Sequence, residues 1–337
     1  MAQTQFTIFQ NDGTVLQIPA TAIDSLTYSF QSAGELASVS MAPIGSVAAG
    51  ITLHATVAIG GGSTVTARGF CYGTAPDPTM ADGVIDMGNG TGDMDSVLTN
   101  LIANTTYHVR AFATTAYGTA FSAPYSISLG AGGALQGNGV VDIDGNSYPS
   151  VIIGGKEWMA MNLRTTHYAN GDPIPEHSFL TAWPDSTSGL CASLFQFNGF
   201  DDYEIPYGKH YNWYAVTDPR EVCPAGWHLP TGQEMWDLVY LIDLGFSVTD
   251  NVLMNSGPEH WGVANTATNA TGFNAVPAGV RVTNTSTVVW ALGEYALFWS
   301  STSTTSWDAQ SGEVNGNSNM HTSDFRGSGL SVRCVRN

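Results

Sequence analysis

The fold of the C-terminal part is decided by the stretch Cys223-Pro-Ala-Gly-Trp-His-Leu-Pro-Thr-Gly-Gln-Glu-Met-Trp-Asp-Leu-Val-Tyr-Leu-Ile242. Within it, Thr231 and Glu234 have the spacing of a capping box, in which a Thr hydroxyl and a Glu carboxylate satisfy the unpaired amides at a helix start. The apolar residues that follow recur on one helical face, namely Met235, Leu238, Val239 and Ile242. The stretch therefore predicts one clear helix at about residues 231–243.

Outside this helix the chain has the composition of a β-rich protein. It contains 38 Gly among 337 residues, and short alternating stretches of apolar and polar residues recur between clusters of turn-forming residues. Regularly spaced short strands are typical of sandwiches. The sequence predicts a mainly β fold, consisting of a β-sandwich and an α+β domain that carries the helix.

The charge of the chain excludes several classes of partner. Lys and Arg number 10 and Asp and Glu number 28, which gives a formal net charge of −18. So acidic a chain cannot neutralise many phosphates, and we expect no nucleic-acid partner. No apolar run reaches the roughly 18 residues that cross a bilayer, and we expect no membrane insertion. The 9 Trp, 13 Tyr and 14 Phe supply cores that a disordered chain lacks.

Composition also divides the chain into units. Residues 1–30 form a small N-terminal β unit that is too short to bury its own core, and residues 31–45 form a linker. Residues 46–130 have the alternation of a β-sandwich. The Gly-rich segment 131–138 is predicted as a flexible joint, and residues 139–337 form the C-terminal domain with the helix.

The N-terminal β unit offers strands that could pair with a neighbouring copy of the protein. Its apolar residues alternate with polar ones, as in half-buried strands. A unit of this size has to pack on its own sandwich or on another subunit. The candidates for strands that mediate self-assembly contain Phe6, Ile8, Leu26, Tyr28 and Phe30.

The unit at residues 46–130 resembles a bacterial fibronectin type III-like domain. The run Asn104-Thr-Thr-Tyr107 looks like a tyrosine corner, in which the Tyr hydroxyl bonds to upstream backbone. Domains of this kind serve mostly as spacers. The resemblance therefore implies a sandwich that carries the C-terminal domain.

The C-terminal domain contains a series of distinctive blocks in a fixed order. These blocks are Asp142-Ile-Asp-Gly-Asn146, Trp158-Met-Ala-Met-Asn162, Tyr207-Gly-Lys-His-Tyr211-Asn-Trp213, Cys223-Pro-Ala-Gly-Trp227, Gly272-Phe-Asn-Ala-Val-Pro277, Phe298-Trp-Ser-Ser-Thr302 and Ser331-Val-Arg-Cys334. Together they resemble the Fibrobacter succinogenes major paralogous (FISUMP) domain. The resemblance implies a fold similar to that of C-type lectins and a secreted or cell-surface bacterial protein, and it implies no activity.

The four cysteines allow three pairings by themselves. The resemblance implies a bridge between Cys223 and Cys334, similar to the long disulfide of C-type lectin folds. Cys71 lies in a strand of the sandwich and is expected to be a buried thiol, and whether Cys191 pairs is left open. No Cys-x-x-Cys occurs, so we expect no structural zinc site.

The sequence predicts neither a metal site nor a catalytic one. Asp142-Ile-Asp-Gly-Asn146 begins like a calcium loop, but Ile153 stands where the bidentate Glu would be. We therefore interpret it as a hairpin turn, and calcium is not supported. The acidic cluster Asp201, Asp202 and Glu204 is interpreted as a solvated loop. Because no nucleophile elbow or His-x-x-x-His spacing occurs, we expect a protein that is not an enzyme and has no cofactor.

The aromatic residues beyond the helix are the candidates for ligand binding. Lectin-like folds place ligand contacts in the loops that follow the helix, which here cover about residues 247–325. A tryptophan face can stack on a sugar or anchor a protein partner. The candidates are Trp261, Trp290, Tyr295 and Trp307. The alternative is that these side chains fill a loop-rich core.

Two hypotheses for function follow. In the first, a secreted or surface protein binds an extracellular glycan or protein ligand through its lectin-like domain. In the second, copies of the chain assemble by strand addition into an extracellular filament or appendage, or into a fibre of a virion or injection system. We expect that a signal peptide was removed from the chain, the alternative being another export route.

Overall fold

The computed structural model describes the following residues: 5–9, 14–19, 35–42, 45–47, 50–59, 63–130, 134–177, 183–193, 204–241, 246–247, 251–256, 260–261, 266–283, 289–316 and 319–337. Strands make up 44% of the structure and helices 5%. The prediction of a mainly β fold is therefore confirmed. No helix in this part of the chain is long and apolar enough to span a bilayer.

The N-terminal unit contains a hairpin. Strand β1 (Gln5–Phe9) pairs antiparallel with β2 (Val15–Pro19), and Phe6 stands opposite Ile18. Within the described ranges these two strands form a sheet of their own. Phe6 and Ile8 lie on β1, as predicted. The predicted third strand with Leu26, Tyr28 and Phe30 lies outside the described residues.

Two antiparallel sheets follow and form the sandwich. Its strands are β3 (Ser38–Met41), β4 (Gly45–Val47), β5 (Gly50–Ala58), β6 (Ala67–Gly73), β7 (Gly83–Asp86), β8 (Gly92–Leu98), β9 (Thr106–Thr115), β10 (Gly118–Phe121) and β11 (Tyr125–Ser128). One sheet joins β3, β4 and β8 to β5, and the other has the order β10-β9-β6-β7 with β11 also on β9.

Buried apolar residues alternate with more exposed residues along the strands and form the core of the sandwich. On β5, Leu53 and Val57 are buried, and they share one apolar cluster with Phe70 and Val109 of the opposite sheet. The predicted tyrosine corner is present, because the Ile102 amide donates to the Tyr107 hydroxyl at 3.2 Å. Hydrophobic burial between the two sheets is thus the main source of stability in this unit.

The joint between the sandwich and the C-terminal domain differs from its prediction. Residues 134–137 are not a flexible spacer, because Leu135 is buried in the core of the sandwich. The Gln136 amide donates to the Ser128 carbonyl at 2.8 Å, and the Ile152 amide donates to the Leu135 carbonyl at 2.9 Å. This part of the joint is therefore paired with strands on both sides.

The C-terminal domain combines small sheets with short helices. Its elements are β12 (Val140–Val141), β13 (Ser147–Tyr148), β14 (Ser150–Ile153), β15 (Lys156–Met159), β16 (Cys191–Ser193), α1 (Glu204–Tyr207), β17 (Lys209–Tyr211), α2 (Trp213–Val216), β18 (Trp227–His228), α3 (Gly232–Val239), β19 (Tyr295–Ser303), β20 (Asp308–Asn315), β21 (Asn319–Phe325) and β22 (Val335–Arg336). The larger sheets have the orders β14-β15-β22-β18 and β19-β20-β21.

The predicted helix is α3, and its capping box is present. The Glu234 amide donates to the Thr231 hydroxyl, and the Glu234 carboxylate accepts from the Thr231 amide at 2.8 Å. The apolar face packs on β20, where a side chain at Gly312 would collide with Met235. The helix ends at Val239, before the predicted end, because Leu241 has the left-handed φ of 54° and stops the helical backbone.

The Asp142–Asn146 segment is a turn, as interpreted from the sequence. It joins β12 to β13, and Gly145 has a φ of 85°. The Asp142 carboxylate accepts from the Asn146 amide at 2.9 Å and from the Tyr148 hydroxyl at 2.6 Å. These hydrogen bonds occupy the carboxylate within the turn itself.

A buried arginine and a disulfide close the C-terminal domain. Arg333 is fully buried, and it donates to the Asn162 side chain at 2.6 Å and to the Phe273 carbonyl at 2.6 Å. The adjacent Cys334 forms the expected disulfide with Cys223. Disulfides are typical of oxidising environments, so this bridge fits an extracellular or cell-surface protein. Cys71 is a buried thiol, as expected, and Cys191 is buried outside any disulfide.

Removing the disulfide should destabilise the C-terminal domain selectively. The bridged residues are 111 positions apart, so loss of the loop constraint in C223A/C334A should lower the free energy of unfolding by about 4–5 kcal/mol. All 9 Trp lie between residues 158 and 307, so tryptophan fluorescence during denaturant unfolding reports on this domain. The control C71A removes a buried thiol from the sandwich and should leave the fluorescence transition in place. An unchanged midpoint in C223A/C334A would contradict a stabilising role for the bridge.

Candidate functional site

An exposed apolar surface lies at the start of β19. The Trp290 side chain is 55% exposed and that of Leu292 is 37% exposed, whereas Tyr295 is partly buried. The rings of Trp290 and Tyr295 are stacked, with centroids 5.7 Å apart and planes inclined by 23°. We call Trp290, Leu292 and Tyr295 the aromatic platform. Exposed apolar surface of this kind often marks a binding site.

Backbone hydrogen bonds hold the aromatic platform in place. Trp290 and Val280 exchange two of them, at 2.8 and 3.0 Å. The Gly279 amide donates to the Tyr295 carbonyl at 2.9 Å, and the Gly293 amide donates to the Pro277 carbonyl at 2.9 Å. Both sides of the aromatic platform are therefore fixed to segment 277–280, and its shape is set before any ligand arrives.

This arrangement depends on the small size of Gly279. Its φ is 66°, and a Cβ added there would collide with the Trp290 carbonyl oxygen and lie 2.8 Å from the Leu292 amide. Between those two residues, Ala291 also has a left-handed φ of 56°. The backbone thus turns tightly over Gly279 and directs the two apolar side chains outward.

Polar side chains lie on the same face of the sheet as Tyr295. In the register of β19 and β20, Tyr295 stands opposite Asn315 and Leu297 stands opposite Glu313, and directly opposed residues share a face. Asn315 donates to the Glu313 carboxylate at 2.7 Å. Burial raises the pKa of Glu313 above its usual value. Asp324 on β21 also has a pKa raised by burial.

The aromatic platform combines a flat aromatic surface with a carboxylate on the same sheet face. A flat aromatic surface can stack on the apolar face of a ring, and the Glu313 carboxylate can accept from hydroxyl groups beside it. The Asn315 amide is buried and hydrogen-bonds to Glu313. Within the described ranges, no group of three or more His, Cys, Asp or Glu side chains is arranged to hold a metal ion. The geometry therefore supports a binding surface.

Trp307 lies apart from the aromatic platform. It is 66% exposed and sits in the turn between β19 and β20, where the Thr305 hydroxyl accepts from its amide at 3.1 Å. The length of β19, roughly 26 Å, separates this turn from Tyr295. Trp307 and the aromatic platform cannot both belong to one small ligand site.

The burial of Trp261 corrects the prediction that it contacts a ligand. It is 3% exposed and belongs to the apolar cluster that includes Met235 of α3 and Phe298 of β19. A ring enclosed in this way cannot stack on a ligand at the surface. Trp261 fits the alternative, in which tryptophans of this region fill the core.

Sequence reasoning missed several residues of the site. Leu292 and Glu313 carry no motif, and only the strand register places Glu313 on the sheet face of Tyr295. A signal was present in Gly293, since a glycine directly after the Trp-Ala-Leu run indicates a turn. That signal locates the turn but not its exposure.

Substitution of Gly279 tests whether the close approach shapes the aromatic platform. G279A should lower the free energy of unfolding by about 2–4 kcal/mol, because it combines left-handed strain with a backbone collision. Gly155 is the matched control, since its φ is 75° and nothing lies within 4 Å of an added Cβ. G155A should cost only the strain, about 1–2 kcal/mol. Equal losses in the two variants, measured by denaturant unfolding, would show that the collision is relieved without cost.

Comparison with known proteins places the C-terminal domain in a family. The family model for the Fibrobacter succinogenes major domain (Fib_succ_major) matches residues 151–336, which is more than half of the chain and includes the whole aromatic platform. No curated protein and no solved structure matches the chain. The resemblance inferred from the sequence blocks is thus confirmed, and the chain belongs to the Fibrobacter succinogenes major domain family.

Proposed function

We propose that the protein is a non-enzymatic extracellular binding module whose aromatic platform receives a glycan. The observation that carries the proposal is the exposed Trp290 ring stacked on the partly buried Tyr295 ring, both held by segment 277–280. The Cys223–Cys334 disulfide supports an extracellular setting. In this arrangement the sandwich acts as a spacer that presents the C-terminal domain.

Charge and polarity favour an uncharged glycan as the ligand. The chain carries a net charge of −18, and Glu313 lies on the sheet face that Tyr295 shares. Sialylated or sulfated glycans would be repelled by these carboxylates. Neutral sugars offer an apolar ring face for Trp290 and hydroxyl groups for the partly buried Glu313. A protein ligand anchored by its own apolar side chains is the other outcome that a screen would reveal.

Removal of the Trp290 ring should abolish most of the binding. We expect W290A to weaken binding of a neutral glycan at least about tenfold, as for an aromatic residue at the centre of an interface. W307A is the matched control, because it removes another exposed tryptophan beyond the far end of β19 and should leave affinity unchanged. The measurement is a glycan array followed by titration calorimetry.

The glycan proposal fails if no neutral glycan binds the wild-type protein, or if W290A and W307A weaken binding equally. Near-ultraviolet circular dichroism of both variants checks that the fold is retained. Loss of binding in W290A then reports on the ring and not on unfolding.

A second candidate function is self-assembly into an extracellular filament. The observation that favours it is the β1–β2 hairpin, which pairs with no third strand among the described residues. A two-stranded sheet is marginally stable in water, and its open edges can accept or donate a strand. The N-terminal unit would then complete the sheet of a neighbouring copy.

Deletion of residues 1–30 tests this candidate. If strand addition drives assembly, the full chain should form filaments or rings in negative-stain micrographs, and the truncated chain should remain a monomer in light scattering. W290A in the full chain is the control and should assemble normally. Polymerisation of the truncated chain would rule out strand addition by this unit, and a monomeric full chain would rule out assembly.

A further inference from the structure

A cavity of about 450 Å³ lies next to the disulfide and shares no residue with the aromatic platform. Its floor is apolar and consists of buried side chains, among them Val222, Cys223, Trp227 and Leu229. Its rim is polar and includes Asp218, Glu221 and Ser301. Cavities that bind small molecules have this size and this division between apolar walls and a few polar groups.

The charged groups at the rim differ in whether they have partners. Asp218 accepts two hydrogen bonds from Arg220, each at 2.8 Å, which keep the pKa of Asp218 low. Arg220 also lies over the Tyr168 ring, at 4.0 Å from its centroid. Glu221 has no ion pair or hydrogen bond through its carboxylate within the described part of the chain. Its negative charge at the rim is thus uncompensated.

The imidazole of His228, which also lines the cavity, already has partners. His228 contacts the Asn337 side chain through Nδ1 at 2.6 Å and the Glu234 carboxylate through Nε2 at 3.0 Å. Glu234 also accepts from Lys156 at 2.9 Å. Arg220 and Lys156 are therefore paired with other carboxylates, and Glu221 remains available to a cation from outside.

The backbone at Glu221 does not explain why the residue is a glutamate. Its φ is 58°, a left-handed conformation that Gly or Asn adopts at lower cost. The fold uses its main chain, since the Glu221 amide donates to the Asp218 carbonyl at 2.9 Å and its carbonyl accepts from the Ala169 amide at 2.8 Å. A glycine would make both bonds. Both of these contacts use the main chain of Glu221. They therefore give no role to its carboxylate at the cavity rim.

We propose that this cavity is a second binding site, which takes a small organic cation whose apolar part contacts the Val222 and Leu229 floor and whose ammonium group pairs with Glu221. Charge complementarity selects this ligand class over an anion of the same size. The apolar floor selects it over an inorganic cation, which keeps its water shell. This site is independent of glycan binding at the aromatic platform.

The test uses three probes of one shape on the full chain: 2-phenylethylammonium, 2-phenylethanol and phenylacetate. Affinity is measured by titration calorimetry and ligand-observed NMR at low salt. The ammonium should bind most tightly and the carboxylate least, and the advantage of the ammonium over the alcohol should shrink as salt is added. In E221Q the ammonium should bind about threefold to fivefold more weakly, with the alcohol unchanged, as expected for a partly exposed ion pair.

Two further variants separate the cavity from the rest of the molecule. S301W places a large ring at the rim and should weaken the ammonium and the alcohol together. E221G should raise the thermal midpoint by relieving the left-handed strain and should still lose the ammonium preference. W290A is the control and should leave all three affinities unchanged. The proposal of a cation site is therefore tested separately from the proposal of a glycan site. Equal binding of the three probes, no binding of the ammonium, or an unchanged affinity in E221Q would overturn the proposal.

Discussion

The buried guanidinium of Arg333 is the constraint on which the C-terminal domain depends. Burial lowers its pKa to about 9, so it stays charged at neutral pH and all its partners must remain in place. It donates to Asn162, to the carbonyls of Phe273 and Asn274, and lies 5.5 Å from the Phe298 ring centroid. One side chain thereby fixes the segment after β15, the segment that leads to residues 277–280, and the long sheet. The position of the aromatic platform follows from these contacts.

Local signals in the sequence predicted the helix but not the residue at which it ends. The capping box of Thr231 and Glu234 and the apolar face after it act within a few residues, so they can be read from the sequence alone. The early end at Val239 depends on the left-handed backbone of Leu241, a buried core residue. The disulfide was implied by the resemblance and not by cysteine spacing, since four cysteines leave three pairings open.

The candidate site was predicted only in part, because exposure is a property of the assembled fold. The pattern around Trp261 and Trp290 does not reveal that the first is 3% and the second 55% exposed. The two exposed fractions differ because they depend on how the segment around each tryptophan packs against the rest of the domain. Backbone pairing with Val280 places the Trp290 side chain at the surface. The close approach of the backbone is possible because Gly279 has no side chain. The approach of two segments across Gly279 and the strand register that places Glu313 on the sheet face of Tyr295 both depend on residues distant in the sequence.

The paired joint between the sandwich and the C-terminal domain has a mechanical consequence. A protein that binds a fixed ligand while its other end is anchored carries tension along the chain. At residues 134–137 that tension meets backbone hydrogen bonds to Ser128 on one side and to Ile152 on the other, and Leu135 is buried between them. Strands loaded along their length share a pulling force over several bonds at once. In residues 134–137 a pulling force is therefore shared between hydrogen bonds to the sandwich and to the C-terminal domain.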